Sequence, residues 1–305
     1  MPQSLKKVSY FKTPDRAFDP LPHKTEIITG AVHLVGFEFD GTACFRKGTK
    51  HGPNAIRNNT YDIETYSPYQ DRDTTDVHGV DLGNLPVGSG SDPVADFQMA
   101  LTCFENAFAD IDLNQIAVLT LGGEHSISYA PIKTYLTHYP DLVLIQLDAH
   151  ADLRNGYEGF HYSHASIMRR SLDLFGPNHT LMQYGIRSGT REEFQFMNQQ
   201  KTLFKSRKTF FEAVQNLPDK RPIYLTLDLD FFDPAFMPGT GTPEAGGEDF
   251  LSLVAFLDLV ENKNLVGADI VELSPPIDTT GNSDSFASKV AREILLSLNA
   301  HIKGR

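Results

Sequence analysis

The sequence predicts an α/β fold with a central parallel sheet, and three observations support that prediction. Apolar runs of strand length, rich in β-branched residues, alternate with amphipathic stretches of helix length. Glycine and proline punctuate the connections, as in NLPVGSGSDP and MPGTGTPEAGGE. No internal repeat or low-complexity linker divides the 305 residues. We therefore expect βαβ units that form one doubly wound domain over residues 1–305.

The predicted strands share a short, continuous apolar run, as a sheet covered on both faces requires. They span 31–39, 116–122, 141–149, 180–187, 223–230 and 267–274. The predicted helices share apolar residues at helical spacing, and they span 53–63, 93–111, 126–139, 190–200, 248–263 and 283–302. In the last helix Phe286, Val290 and Ile294 begin an apolar stripe that continues to Ile302. Most of the strands are followed by a helix, which is typical of parallel sheets with helical crossovers.

The composition excludes several classes of partner. Lys and Arg number 27 against 39 Asp and Glu, a formal net charge of −12, and no basic run occurs. A nucleic acid or an anionic membrane is therefore disfavoured, whereas small cationic substrates are favoured. The two cysteines, Cys44 and Cys103, suggest neither a disulfide framework nor a thiolate metal site. Because neither an N-terminal apolar segment nor an apolar run of about 18 residues occurs, we expect an unexported protein of the cytoplasm, without a membrane span.

Ionisable side chains gather where three predicted strands end. They are His125, Asp148, His150, Asp152, Asp228 and Asp230. The carboxyl ends of parallel strands are where ligands bind in open α/β sheets. If the strand that contains LVLIQL continues to Asp152, its alternate side chains face one way and converge. The spacing therefore predicts one shared site.

Four carboxylates in one place would repel each other, and each buried charge is costly. Two divalent cations would cancel the four negative charges. Carboxylate and imidazole ligands suit Mn²⁺, whereas zinc favours sites that are richer in cysteine. Water on such ions loses a proton near neutral pH instead of at about 15.7, which makes it a nucleophile. A DxD or DxHxD motif alone arises by chance, but three strand ends together favour a hydrolytic metal centre.

Five motifs along the chain resemble those of the ureohydrolases, the arginase and agmatinase family. They are FDGTACFRKGTKHGPNAIR (39–57), GGEHS (122–126), DAHADLRNGYEGFHYSHAS (148–166), DLDFFDPAFMPGTGTPEAGG (228–247) and DIVELSPPID (269–278). The resemblance implies an arginase-like, three-layer α/β/α fold and two Mn²⁺ ions per subunit. It also implies hydrolysis of a guanidino compound to urea and an amine. The sequence is most similar to agmatinases, so agmatine, which yields putrescine and urea, is the expected substrate.

The resemblance further implies a division of the ligands between the two metals. Each ion has one imidazole and one carboxylate of its own, and two aspartates bridge the pair. The separate ligands are His125 with Asp152 and His150 with Asp230, and the bridging ligands are Asp148 and Asp228.

Other site residues follow from the same resemblance. His164, in YSHAS, matches the family's second histidine and is the candidate proton shuttle, for which His161 is a competitor. Glu272 is the candidate catalytic carboxylate that holds the guanidinium through charge-assisted hydrogen bonds. Glu158 is the candidate acceptor of a terminal ammonium. An exposed loop histidine and a structural ion pair are the alternative interpretations of His164 and Glu272, and segment 239–247 is expected to line the site entrance.

The substrate tail is the open question. The segment LRNGYEGFHYSHAS resembles agmatinases more than arginases, which favours a decarboxylated substrate. Four bulky side chains depart from the usual agmatinase pattern: Phe160, His161, Phe231 and Phe232. Because bulky groups near the tail would shorten or reshape the pocket, guanidinobutyrate, guanidinopropionate and arginine stay open as alternatives.

Two function classes outside the ureohydrolases compete with this interpretation. A deacetylase-like enzyme of related fold would use a single zinc, but His125 and Asp152 supply the extra ligands of a second metal. A non-catalytic metal-binding paralogue would keep the fold without the activity, and the complete ligand set argues against it. Relatives are commonly trimers or hexamers, so a homo-oligomer is expected.

Overall fold

The computed structural model describes residues 4–7, 10–88 and 90–303. The strands are β1 Ser4–Lys7, β2 Glu26–Ile28, β3 Val32–Phe37, β4 Tyr66–Ser67, β5 Arg72–Asp73, β6 Gly79–Asn84, β7 Ala117–Gly122, β8 Val143–Leu147, β9 Thr180–Tyr184, β10 Leu203–Phe204, β11 Pro222–Asp228 and β12 Asn264–Val271. The helices are α1 Gly52–Asn59, α2 Pro93–Phe108, α3 Tyr129–His138, α4 Ile167–Leu172, α5 Arg191–Gln200, α6 Arg207–Gln215, α7 Phe250–Val260 and α8 Asn282–Lys303. Of the helices described, none is both long and apolar enough to span a membrane.

A sheet of eight strands runs through the centre in the order β10-β9-β8-β11-β12-β7-β3-β6, and every pairing in it is parallel. Successive residues of a strand face opposite sides of it. Val143 and Ile145 join one hydrophobic cluster with side chains of α1, α6, α7 and α8, whereas Leu144 joins another with side chains of α2, α3, α4 and α5. The result is a three-layer α/β/α fold, so the predicted fold class is confirmed.

The six predicted strands and six predicted helices are all present, with boundaries that differ by a few residues. The sequence pattern does not reveal β1, β2, β4, β5, β6, β10, α4 or α6. β10 and α4, with two and six residues, are too short to show a period. β6 reads GVDLGN, a composition that disfavours strands. It forms because Asp81 is buried and accepts hydrogen bonds from Arg57 and from the backbone N–H groups of Phe18 and Gly83.

We expect the Arg57–Asp81 ion pair to contribute strongly to stability, because both side chains are 0% exposed. Arg57 Nε and Nη2 donate to the carboxylate over 2.7 and 2.9 Å. We expect Asp81→Asn to lower the free energy of unfolding by about 3–5 kcal/mol, because the guanidinium would stay buried without a countercharge. Chemical denaturation measures this change.

The control is Glu261→Gln, which breaks an ion pair between Arg72 and Glu261 that is 31% and 45% exposed. We expect this control to change the free energy of unfolding by less than about 1 kcal/mol. Equal effects of the two substitutions would contradict the importance given to the buried pair.

Candidate active site

Ionisable side chains from four neighbouring strands meet at the carboxyl edge of the sheet. The strands β8, β11, β12 and β7 are consecutive in it. Asp148 directly follows β8, Asp228 ends β11, and Glu272 directly follows β12. His125 comes shortly after β7 and begins the 3₁₀ helix His125–Ser128. The parallel sheet therefore gathers groups that are far apart in the sequence.

The chain turns immediately after β8 and after β11 by the same local device. Asp148 Oδ1 accepts a hydrogen bond from the backbone N–H of His150 over 2.6 Å, and Asp228 Oδ1 accepts one from Asp230 over 2.8 Å. Such aspartate turns compete with continued strand structure. The condition that the strand predicted over 141–149 continues to Asp152 is therefore not met: β8 ends before Asp148, and Asp152 has a left-handed backbone with φ of 53°. The side chains converge through turns instead of through strand alternation.

The side chains form two groups, each of which combines an imidazole with carboxylates. The first group surrounds His125. Its Nδ1 lies 3.1 Å from Asp148 Oδ2 and 3.3 Å from Asp228 Oδ2. Asp152 Oδ2 lies 3.0 Å from the same nitrogen. Three carboxylate oxygens therefore face one imidazole nitrogen.

The second group surrounds His150, whose Nδ1 lies 2.8 Å from Asp230 Oδ2 and 3.8 Å from Asp148 Oδ1. Candidate ligand atoms of His125, Asp148 and Asp228 lie within 4.8 Å of one another, and so do those of Asp148, His150 and Asp230. Asp148 belongs to both groups, because one of its oxygens faces each imidazole. All six residues that the sequence indicates as ligands are thus brought together.

Crowding shifts the pKa values of these groups. Burial, reinforced by repulsion from neighbouring aspartates, raises the pKa of Asp148 and Asp228 and brings that of Asp152 to about 7. Burial by itself lowers the pKa of His150, but the facing carboxylate of Asp230 raises it to about 11. The cluster therefore retains protons that divalent cations would displace.

The hydrogen bonds of His125 fit a metal ligand. Thr226 Oγ1 donates to Asp269 Oδ1 over 2.7 Å and lies 2.9 Å from His125 Nε2. Since this hydroxyl gives its proton to Asp269, it accepts one from Nε2, which leaves a lone pair on Nδ1. Nδ1 and Asp230 Oδ2 are both buried, and neither makes a hydrogen bond of suitable geometry within the part of the chain that is described. Buried lone pairs that lack a hydrogen bond are available to bind a cation, one in each of the two groups.

Glu272 lies beside the first group on a strained backbone. Its φ is 69°, its N–H donates to the carbonyl of Gly123 over 2.9 Å, and its Oε1 accepts from the N–H of His125 over 2.9 Å. A left-handed non-glycine residue costs about 1–3 kcal/mol and is frequent at functional sites. On its other side Gly123 permits close approach of the Phe39 backbone, because a Cβ there would lie 1.8 Å from the carbonyl oxygen of Phe39. Burial, followed by repulsion from Glu124, raises the pKa of Glu272 well above its ordinary value, so a neighbouring cation would stabilise its ionised form.

A cavity of about 270 Å³ opens over both groups, and His164 lies in its wall. This residue begins the 3₁₀ helix His164–Ser166. Its Nε2 lies 3.3 Å from Cys44 Sγ, and its backbone N–H lies 3.4 Å from Thr42 Oγ1. Burial lowers the pKa of His164, and the carboxylate of Glu124 opposes that shift only in part. The imidazole is therefore neutral near pH 7 and able to accept a proton.

Comparisons with known proteins agree with this geometry. The family model described as the arginase family matches residues 30–297. The chain belongs to the arginase family. The agmatinase of Bacillus subtilis is 37% identical over 268 residues, which is 86% of this chain and 90% of that protein. The guanidinobutyrase of Pseudomonas aeruginosa is 30% identical over 278 residues, which is 87% of this chain and 85% of that protein.

A solved structure, the proclavaminate amidino hydrolase of Streptomyces clavuligerus, matches this fold with a TM-score of 0.83. It is 26% identical, and the match covers 96% of this chain and 99% of that one. Membership of the arginase family confirms the resemblance that the five motifs indicated, and with it an enzyme of the ureohydrolase class. This family is metal-dependent, and the clustered histidines and aspartates supply candidate ligands.

Segment 239–247 borders the cavity in this member of the family, as expected. Thr242 is one of the residues that line the cavity. Arg46 fixes the segment, because its Nε and Nη2 donate to the carbonyls of Gly241 and Thr240 over 3.0 and 2.9 Å. The site entrance is therefore formed by loops that are tied to each other.

The sequence offers little indication that four further residues lie around the site. Arg187 Nη2 donates to the carbonyl of Asp230 over 2.6 Å. Its place just past the end of β9 is the one clue that could have indicated it. Arg154, Tyr157 and Glu193 line the cavity. The Arg154 guanidinium lies 4.5 Å from the centre of the Tyr157 ring, and its Nε lies 3.9 Å from Glu193 Oε2.

The four bulky residues that depart from the agmatinase pattern do not line the cavity. The expectation that Phe231 and Phe232 reshape the pocket is wrong, because both are buried in the hydrophobic cluster that contains Val143. His161 is exposed and contacts Arg170 Nη1 through its Nδ1 at 2.7 Å, so it points away from the cavity. Phe160 is also absent from the lining.

Glu158 lies outside the lining as well. It is exposed, its φ is 48°, and it belongs to an adjoining groove. That groove shares Arg154, Tyr157 and Glu193 with the cavity. Glu158 is therefore separated from the metal ligands by the residues of the cavity wall.

Because Thr226 is hydrogen-bonded to His125, we expect substitution of Thr226 to affect the binding of metal. We expect Thr226→Val to weaken the binding of metal by about 10–100-fold, because the imidazole loses the group that fixes its ring and tautomer. Calorimetric titration of metal into stripped protein measures this change. Thr226→Ser keeps the hydroxyl and should stay within about threefold of the wild type. An unchanged affinity of the valine variant would refute this role of Thr226.

Proposed function

We propose that the chain hydrolyses agmatine to putrescine and urea at a binuclear manganese centre. The observation that carries the proposal is the pair of imidazole and carboxylate groups that share Asp148 below a cavity that Glu272 also lines. The match to the arginase family and the 37% identity to the Bacillus subtilis agmatinase support the reaction class. The formal net charge of −12 favours a cationic substrate.

The proposed metal ligands divide into two sets with two shared members. The sets are His125 with Asp152 and His150 with Asp230, and Asp148 and Asp228 are common to both. Bound there, two divalent cations would supply a nucleophile by lowering the pKa of a water molecule. Mn²⁺ suits the set because every ligand is a carboxylate or an imidazole.

Glu272 is the proposed partner of the guanidinium. One of its oxygens accepts the backbone N–H of His125, which leaves the other for the substrate. A guanidinium N–H donates to that free oxygen, and the charge of the group stabilises an ionised carboxylate. This contact would hold the reacting carbon over the metal ligands, and in that geometry the charged, resonance-stabilised group is open to attack.

His164 is the proposed proton shuttle. The leaving amine needs a proton before the carbon–nitrogen bond breaks, and a positioned imidazole supplies one. The neutral ring at pH 7 takes a proton from the attacking water or from solvent and passes it to the leaving nitrogen. Its place in the cavity wall, outside both ligand groups, supports this role.

Two kinds of substrate tail are candidates, one that ends in an ammonium and one that ends in a carboxylate. Glu158 is the proposed acceptor of an ammonium, and it is exposed in the groove that adjoins the cavity. Arg154 lines the cavity itself and favours a tail that ends in a carboxylate. Guanidinobutyrate is therefore the second candidate substrate, and the similarity to the guanidinobutyrase of Pseudomonas aeruginosa agrees with it.

Three properties of the whole protein belong to the same proposal. Residues 1–305 would form a single ureohydrolase domain, several copies would assemble as a trimer or hexamer, and the enzyme would act in the cytoplasm. Two free cysteines and no disulfide among the residues described suit a reducing compartment.

The deciding experiment measures urea release by the manganese-loaded protein from agmatine, arginine, guanidinobutyrate and guanidinopropionate. Formiminoglutamate belongs in the same panel with an assay for formamide. We expect agmatine to give the highest kcat/KM, about two manganese ions per chain, and loss of activity on chelation that Mn²⁺ restores. One zinc per chain with no urea from any guanidine would overturn the proposal.

Asp230→Asn is the control for that experiment. We expect it to lower urea release by orders of magnitude while circular dichroism shows an unchanged fold, because a metal ligand is lost. Turnover at the wild-type rate in this variant would remove Asp230 from the ligand set.

The proposed contact of Glu272 predicts a specific kinetic defect. We expect Glu272→Gln to lower kcat/KM for urea release by about 10–100-fold, because a charge-assisted hydrogen bond to the guanidinium is lost. The matched control is Glu212→Gln on α6, where the side chain is 58% exposed. Wild-type kinetics in the Glu272 variant would assign this carboxylate a purely structural role.

A further inference from the structure

One nitrogen of His164 faces the cavity and has a thiol beside it. Nε2 lies 3.3 Å from Cys44 Sγ, within hydrogen-bond reach for sulfur. Nδ1 is buried and makes no hydrogen bond to any residue that the structure describes. A proton that leaves or reaches this ring therefore passes through Nε2. Cys44 is the side chain that adjoins that nitrogen, and it also lines the cavity.

The backbone on both sides of Cys44 is held in place. Thr42 Oγ1 donates to Glu124 Oε1 over 2.6 Å. On the other side Arg46 donates to the carbonyls of residues 240 and 241 over 2.9 and 3.0 Å. Cys44 is itself exposed, but these anchors on both sides keep its segment beside the imidazole that the thiol contacts.

Tyr157 completes the cluster from a third segment of the chain. Its ring meets the imidazole of His164 edge to face at 5.6 Å between centroids, and the neighbouring thiol of Cys44 raises the pKa of its hydroxyl. The other charged or titratable groups that act on His164 are Glu124, His150 and His125. Among Cys44 and these three residues, the thiol of Cys44 is the group that contacts Nε2.

We infer that Cys44 is a positioning residue, whose thiol holds the Nε2 of His164 in the orientation that proton transfer to the leaving amine needs. This inference rests on the proposed function, because it assigns Cys44 to the same reaction. No bond to sulfur forms or breaks in it. The thiol acts only through the hydrogen bond with the imidazole.

The kinetic test compares Cys44→Ala, Cys44→Ser and Cys103→Ser. We expect Cys44→Ala to lower kcat about tenfold and to leave KM within about twofold, because one hydrogen bond to the proton-transfer group is lost. Cys44→Ser restores the hydrogen bond and should recover most of the rate. Cys103→Ser, at the other cysteine of the chain, should behave as the wild type. Equal loss in the alanine and serine variants would overturn the inference.

A double variant separates an effect through His164 from a general disturbance of the cavity. If Cys44 acts through the imidazole, Cys44→Ala combined with His164→Ala is as slow as His164→Ala alone. If the alanine at position 44 slows the double variant by the same tenfold factor, Cys44 works independently of His164 and the inference is wrong.

A last measurement does not depend on urea release. Iodoacetamide alkylates both cysteines, and mass spectrometry of the peptides gives the two rates, with Cys103 as the internal reference. We expect His164→Gln to change the relative rate at Cys44 by at least about threefold, because the partner of the thiol is altered. An unchanged ratio would overturn the contact. If the ratio changes and the wild-type protein releases no urea, the proposed function is overturned while the Cys44–His164 contact stands.

Discussion

Buried charge at the carboxyl edge of the sheet is the constraint on which the rest of the structure depends. Four aspartates and two histidines meet there, and buried charges destabilise a fold unless they are paired or bind a cation. The backbone is shaped around this cluster, with aspartate turns after β8 and β11 and left-handed residues at Asp152 and Glu272. Strained conformations persist only where their surroundings determine them strongly. The surroundings here are the four central strands, so the site and the sheet form together.

The groups around the cluster compensate its charge as well as its geometry. Thr226 and Asp269 orient His125 from below, and Arg46 and Arg187 tie the loops above it. Both arginines donate to backbone carbonyl oxygens, so their charges are not cancelled by a hydrogen-bonded carboxylate. Positive charge next to four aspartates lowers the cost of collecting them in one place. The same side chains therefore fix the loops and stabilise the acidic cluster.

The sequence was informative where chemistry follows from position along a strand, and silent where it depends on contacts with distant parts of the chain. Apolar runs predicted the parallel sheet, and the rule for strand ends indicated the six side chains that the structure brings together. The rule did not show how the ligands converge, because the aspartate turn at Asp148 and the φ of Asp152 depend on contacts from other strands. β6 escaped notice because Asp81 is stabilised by Arg57, a partner that spacing cannot reveal. Phe231 faces the core for a similar reason, since the turn after β11 directs it there.

The reaction and the choice of substrate tail depend on different residues. In the proposed reaction, the six clustered side chains and Glu272 act on the guanidinium that every candidate substrate carries. Farther out, Glu193 already accepts two backbone N–H groups over 2.9 and 2.7 Å, so its charge serves the loop. Arg154, 39% exposed over Tyr157, still has donors for a carboxylate. An ammonium must instead extend past this cation to reach Glu158 in the adjoining groove. The length of the substrate tail and its charge are therefore linked. The cavity wall suits a short tail that ends in a carboxylate or a longer tail that ends in an ammonium. A short tail with an ammonium would meet the guanidinium of Arg154.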